Sequence, residues 1–184
     1  MIIEESKAVG AQAWFFREGK EFTEPEAGTA GIDDVPGADD DGWVSIGRIE
    51  AWEPSLLADE EQDVYDSSTG RLDLADSIPV KQALQYKFTT NVVTALAVGL
   101  FFRTASELSA SDYQFNPLGG VPPRGWLKVQ NYDHNSTLIL AADLWGRIKV
   151  SGGMKGGNGE LVKPEFMFKV FKNALNTMAL GTAE

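Results

Sequence analysis

The chain has no cysteine, a single histidine and no long apolar run, and each shortage removes a class of function. Without cysteine there is neither a disulfide framework nor a thiolate metal site, a composition that suits a reducing compartment. A nucleophile–histidine–aspartate system needs a histidine, and the one present, His134, falls in a predicted hairpin turn. The longest apolar segment, Val92–Phe102, is far short of the ~20 residues a bilayer span requires, so it reads as a buried helix and no membrane partner is expected. The opening residues, MIIEESKAVG, are acidic and lack the apolar core of a secretory signal, so the sequon at Asn135 is expected to stay idle.

Positive charge is also scarce, with 16 Lys and Arg against 27 Asp and Glu, for a net charge of −11. The imbalance is local. Residues 1–76 hold 20 acidic and 5 basic residues, whereas residues 77–184 hold 7 acidic and 11 basic. Binding to duplex nucleic acid needs a basic footprint, so simple non-specific binding is not expected. Such an acidic half instead keeps a chain soluble and repels polyanions.

Motifs of catalysis are missing too. No serine lies in a G-x-S-x-G elbow. GGMKGGNG (152–159) lacks the G-x-x-x-x-G-K-[ST] order of a phosphate loop and reads as a flexible connection. A calcium loop needs alternating oxygen ligands and a glycine at its sixth position; DDDG (39–42) has glycine fourth, and DEEQDVYD (59–66) has valine sixth. Two glycosidase carboxylates cannot be picked from 27 acids by spacing. No catalytic residue, cofactor or metal ligand is assigned, and the chain reads as a non-enzyme.

What the sequence does carry is β-pattern. At 184 residues it fits one domain over 1–184, long enough to bury roughly 70% of its unfolded surface. AVGAQAWFFRE (8–18) predicts a first strand and acidic, glycine- and proline-broken residues 23–42 a loop. In WVSIGRIEAW (43–52) Val44 and Ile46 alternate with polar or small neighbours, and the phase slips around Gly47, which suggests a bulge. Pro54 is expected to end that strand, because it cannot donate to a ladder. Residues 54–80 read as a second acidic loop, with a short helix near Leu56–Asp63 and a turn at Ser67–Gly70. ALQYKFTT (83–90) predicts a strand running into a helix at about 91–103, capped near Thr90 and Asn91. Residues 104–125 read as a loop, WLKVQNY (126–132) as a strand, TLILAADLWGRIKVSG (137–152) as one or two, and EFMFKVFK (165–172) as the last. The fold class is α+β and β-rich: an antiparallel sandwich or barrel with one flanking helix and long loops.

Five tryptophans, Trp14, Trp43, Trp52, Trp126 and Trp145, lie in or beside these strands, where they serve either core packing or a protein interface. The candidate subunit interface is Trp43, Ile46, Ile49, Trp52, Trp126 and Trp145. The candidate acidic lumen or solubility residues are Asp39, Asp40, Asp41, Asp59, Glu60 and Glu61.

In element order and hydrophobic rhythm, YKFTTNVVTALAVGLFF, GWLKVQNYDHNSTLILAADLWGRIKVSGG and VKPEFMFKVFKN, with GWVSIGRIEAWEPS upstream, resemble the major tail tube proteins of long-tailed bacteriophages over roughly residues 43–175. The resemblance implies a virion protein that assembles with itself into hexameric rings. The rings stack into a tube for DNA ejection, partnered by tape-measure and terminator proteins. Sheets join side by side within a ring, and long loops reach the next ring. The implied location is the host cytoplasm before assembly and the virion tail after it. Other readings are a tail terminator, connector or decoration protein, or a monomeric binding module.

Overall fold

The computed structural model describes residues 10–23, 27–66, 73–102, 121–133, 135–152 and 163–180. It contains strands β1 (Gly10–Arg17), β2 (Val44–Asp66) and β3 (Asp73–Thr90), helix α1 (Ala95–Phe102), then β4 (Arg124–Tyr132), β5 (Leu138–Val150), β6 (Glu165–Val170) and β7 (Thr177–Leu180). All pairings are antiparallel. The order β1-β2-β3-β6-β5-β4 closes through β4–β1 into a six-stranded barrel, and β7 joins β5 beside it. Closure settles the choice between sandwich and barrel, and it removes the edges that an open sheet would expose.

Alternation along each strand fills the barrel. Ala11, Ala13 and Phe15 of β1 point inward, as do Tyr86 and Phe88, Leu127 and Val129, Ala142, Leu144 and Ile148, and Phe166 and Phe168. Ile46 and Ile49 are both buried although they are three residues apart, a spacing that period-two alternation forbids. A bulge resolves this. Ala13 pairs with Gly47 while Trp14 pairs with Ser45, so Ile46 is the extra residue and the phase shifts by one. Gly47 takes φ +118°, open to glycine and strained for other residues, as the break in pattern suggested.

The helix is shorter than the predicted 91–103. Thr94, not Asn91, caps it: Thr94 Oγ1 accepts from the Ala97 amide at 3.1 Å. Ala97 and Leu100 enter the barrel core. The expected helix near Leu56–Asp63 is absent; those residues belong to β2. Pro54 does not end the strand either. It pairs with Tyr86, beyond the point where β1 leaves β2 at Ile49. There β2 is an edge strand, whose outer side needs no proline donor. The acidic segment 54–80 is therefore mostly ladder, not loop. EFMFKVFK is likewise not the last strand, because β7 follows it. The turn at Ser67–Gly70, most of the 104–125 loop, His134 and most of GGMKGGNG lie outside the described residues.

Candidate assembly surfaces

Beyond the barrel, β2 and β3 continue alone. β1 pairs with β2 only over Val44–Ile49, and β6 with β3 only over Gln85–Thr89. From Leu56↔Leu84 to Asp66↔Asp73 each strand has only the other as a partner among the described residues. Eleven residues at ~3.3 Å each make an arm ~35 Å long. Among the described residues, both outer edges of this ribbon carry backbone donors and acceptors without a ladder partner. A two-stranded ribbon in water is marginally stable by itself.

Asp59, Glu60 and Glu61 lie in this arm, with Asp63, Asp66, Asp73 and Asp76 also in its strands, where Lys81 is the one basic residue; Arg71 lies in the sequence that joins the two strands. The predicted acidic pair of segments is thus split by structure. One is an extended arm, and the described part of the other, residues 27–42, is folded against the barrel wall.

That second segment covers a separate apolar cluster on the outside of the barrel. Phe16, Ala30, Trp126 and Trp145 are buried there, with Phe22, Trp43 and Phe171 packed around them. Two of its indoles are tied down by hydrogen bonds. Trp126 Nε1 donates to the carbonyls of Gly31 (2.9 Å) and Asp34 (3.1 Å), and Trp43 Nε1 donates to Gly37 (2.8 Å). Trp126 and Trp145 face each other as a cross-strand pair with ring centroids 5.4 Å apart.

Of the six apolar residues singled out in the sequence, Ile46 and Ile49 therefore belong to the barrel core, and Trp126 and Trp145 to the outer cluster of the same subunit. Trp43 is half-buried beneath the acidic loop, and Trp52 pairs with Phe88 in β2.

Asp39, Asp40 and Asp41 sit on the loop at the rim of a cleft of about 390 Å³, whose other walls are Trp14, Ala38, Trp43, Lys128 and Gln130. Lys128 Nζ donates to the Ala38 carbonyl at 2.7 Å and lies 4.2 Å from the Trp43 ring centroid. Burial lowers the Lys128 pKa, and Asp143, Asp39 and Asp40 oppose that shift only in part. Burial likewise raises the pKa of Asp143, which pairs with Lys128 across the strands. Asp40 behaves differently. Desolvation pushes its pKa up, but hydrogen bonds from the Gly42 amide (2.7 Å) and from the Thr23 amide and hydroxyl (3.0 and 2.9 Å), with the nearby Lys20 charge, hold it below the ordinary 3.8. Asp40 thus works as a loop staple, while Asp39 and Asp41 are exposed.

A further free edge was not read from the sequence. Among the described residues β7 pairs only with β5, which leaves its other side without a strand partner there. Met178 on it is 57% exposed, and Leu175 just before it is 40% exposed. Asn173 Nδ2 donates to the Ile32 carbonyl at 2.6 Å, which brings exposed Ile32 to the same neighbourhood. Four residues, Thr177–Leu180, give too short an alternation to register as a strand in the sequence.

No family model and no curated protein matches the chain. Among solved structures, one described as a type six secretion system protein is similar at a TM-score of 0.35 and 8% identity, over 92% of this chain and 78% of that one. That likeness is distant.

Proposed function

We propose that this protein is a structural subunit that completes itself by joining copies of its own chain, as a tail-tube-like virion protein whose hexameric rings stack into a conduit for DNA. The observation that carries the proposal is the arm: eleven residues of paired strand leave the barrel at Leu56 and Leu84 with both outer edges open among the described residues. A ribbon that is marginal in water gains stability when a neighbour covers it. β7 supplies a second open edge, suited to side-by-side joining within a ring, while the arm supplies reach between rings. The hexameric ring and its other partners, tape-measure and terminator proteins, are what the resemblance of the element order to tail tube proteins implies. DNA is a passenger: the acidic half of the chain leaves a polyanion ungripped. The role is non-enzymatic and needs no cofactor. The subunit stays soluble in the host cytoplasm through its net charge and ends in the virion tail.

The test is assembly of purified protein, followed by light scattering and electron microscopy across concentration, beside a variant in which an Asn-Gly turn replaces Leu56–Leu84. That turn joins Ser55 to Gln85, already linked by a 3.1 Å side-chain hydrogen bond. The expected result is rings or tubes for the full chain and a folded, non-stacking barrel for the variant. Full-length protein that stays monomeric at every concentration overturns the proposal.

A further inference from the structure

In a chain so acidic, one surface is basic. On the outer wall of β3, β6, β5 and β4 the strands set Lys169 opposite Arg147 and Arg147 opposite Arg124. In the next row Lys149 and Lys87 flank Met167. All these positions alternate with inward Tyr86, Phe88, Phe166, Phe168 and Ile148, so they share the outer face. Arg124 is neutralised by Glu18 at 2.8 Å. Lys87, Arg147, Lys149 and Lys169 have no ion pair among the described residues, and Arg147 Nε is buried without a hydrogen-bond partner. Glu53, opposite Lys87, and Glu165, one row beyond Met167, are exposed acids at the margin. Like charges directly across strands destabilise a sheet. The stripe therefore carries a net positive charge: Glu53 opposite Lys87 and Glu165 at the margin offset it only in part, and Arg147 rests over the Phe171 ring at 5.8 Å without an ion pair among the described residues.

The stripe lies at the base of the arm, because Lys87 of β3 is three residues from Leu84, where the arm begins. β2 and β3 run continuously from barrel into arm, so an arm leads away from its own stripe. We propose that the stripe of Lys87, Arg147, Lys149 and Lys169 is the seat for the acidic arm of a second copy of this chain. The occupant is chosen by charge: Asp59, Glu60, Glu61, Asp63 and Asp66 follow one another along β2 in the arm. Four strands at ~4.8 Å make a wall wide enough for a two-stranded ribbon. This inference rests on the self-assembly reading and names the contact through which it proceeds. It also gives the arm its direction, since opposite charges steer and register the encounter.

The experiment uses the full chain in three forms. The first carries K87E, K149E and K169E; the second carries D59K, E60K and E61K; the third carries all six changes. Thermal unfolding confirms that each is folded, and sedimentation velocity with electron microscopy measures the concentration at which each assembles. The expected result is a roughly tenfold or greater rise for either triple variant, and recovery to within about threefold of wild type when the swapped charges are combined. Raising salt weakens wild-type assembly over the same range. If wild type assembles and the stripe variant assembles equally well, this inference is wrong and the assembly reading stands. If both triple variants fail and the combined form does not recover, the seat lies elsewhere. Wild type that never assembles removes both proposals, and stripe-dependent retention of duplex DNA in a gel assigns the surface to nucleic acid instead.

Discussion

Replacing Trp126 by phenylalanine tests whether the acidic loop of residues 27–42 is pinned to the barrel by its indole. Trp126 is fully buried, and its N–H serves two carbonyls, Gly31 and Asp34. Phenylalanine keeps the apolar contact with Trp145 but removes the donor. Two acceptors left without it cost about 1–3 kcal/mol together. The smaller ring leaves a void of ~40 Å³, which adds about 1 kcal/mol. The sum, ~2–4 kcal/mol, corresponds to a fall in Tm of roughly 5–15 °C for a chain of this size. Calorimetry measures that fall, and amide exchange locates it. The Gly19 and Ala30 amides, bonded to the Ala30 and Lys20 carbonyls, should exchange faster. The ladder amides of β3 and β6 should change little, because local opening need not spread through a closed barrel. A Tm shift under 2 °C, or acceleration spread evenly over every strand, would refute the reasoning.

Gly146→Ala should destabilise by about 1–3 kcal/mol or more, because its Cβ would lie 2.2 Å from the Lys169 carbonyl, a backbone atom that cannot yield without moving β6; Gly10→Ala, with nothing within 4 Å, is the control in the same denaturant titration. Asp40→Ala should cost ~1–2 kcal/mol at neutral pH through the lost Gly42 and Thr23 hydrogen bonds. Because the folded-state pKa of Asp40 is depressed, its contribution is complete above the ordinary 3.8 and fades as pH falls through the lower folded value, so the gap between wild type and variant should close only in that acid range. A gap independent of pH would assign the loss to packing.

Much of the barrel was legible because its signals are local. Phe166, Phe168 and Val170 announce β6 by alternation, and a glycine breaking the rhythm of Val44 and Ile46 marks the bulge that lets Ile49 return to the core. The arm was not legible. Glu60, Glu61 and Asp63 have low strand propensity, and Pro54 is a stop signal in any strand paired on both sides. Only the topology reveals that β1 has already departed, which makes proline tolerable and frees the acidic strand to project. The tryptophans illustrate the other limit. Trp126 and Trp145, read from the sequence as either core packing or an interface, stand on the outward phase of β4 and β5, and a loop distant in sequence folds over them. The basic stripe escaped for a related reason: Lys87, Arg147, Lys149 and Lys169 come from three strands, and only their register makes them neighbours.

The claim that the arm exists to join copies of this chain is tested most directly by imaging the purified protein, with and without Leu56–Leu84, by electron microscopy at increasing concentration. The expected images are stacked rings whose arms rest on adjacent subunits, and separate folded barrels or isolated rings once the arm is gone. Identical particles from both proteins, or single barrels from the intact chain under every condition, would contradict it.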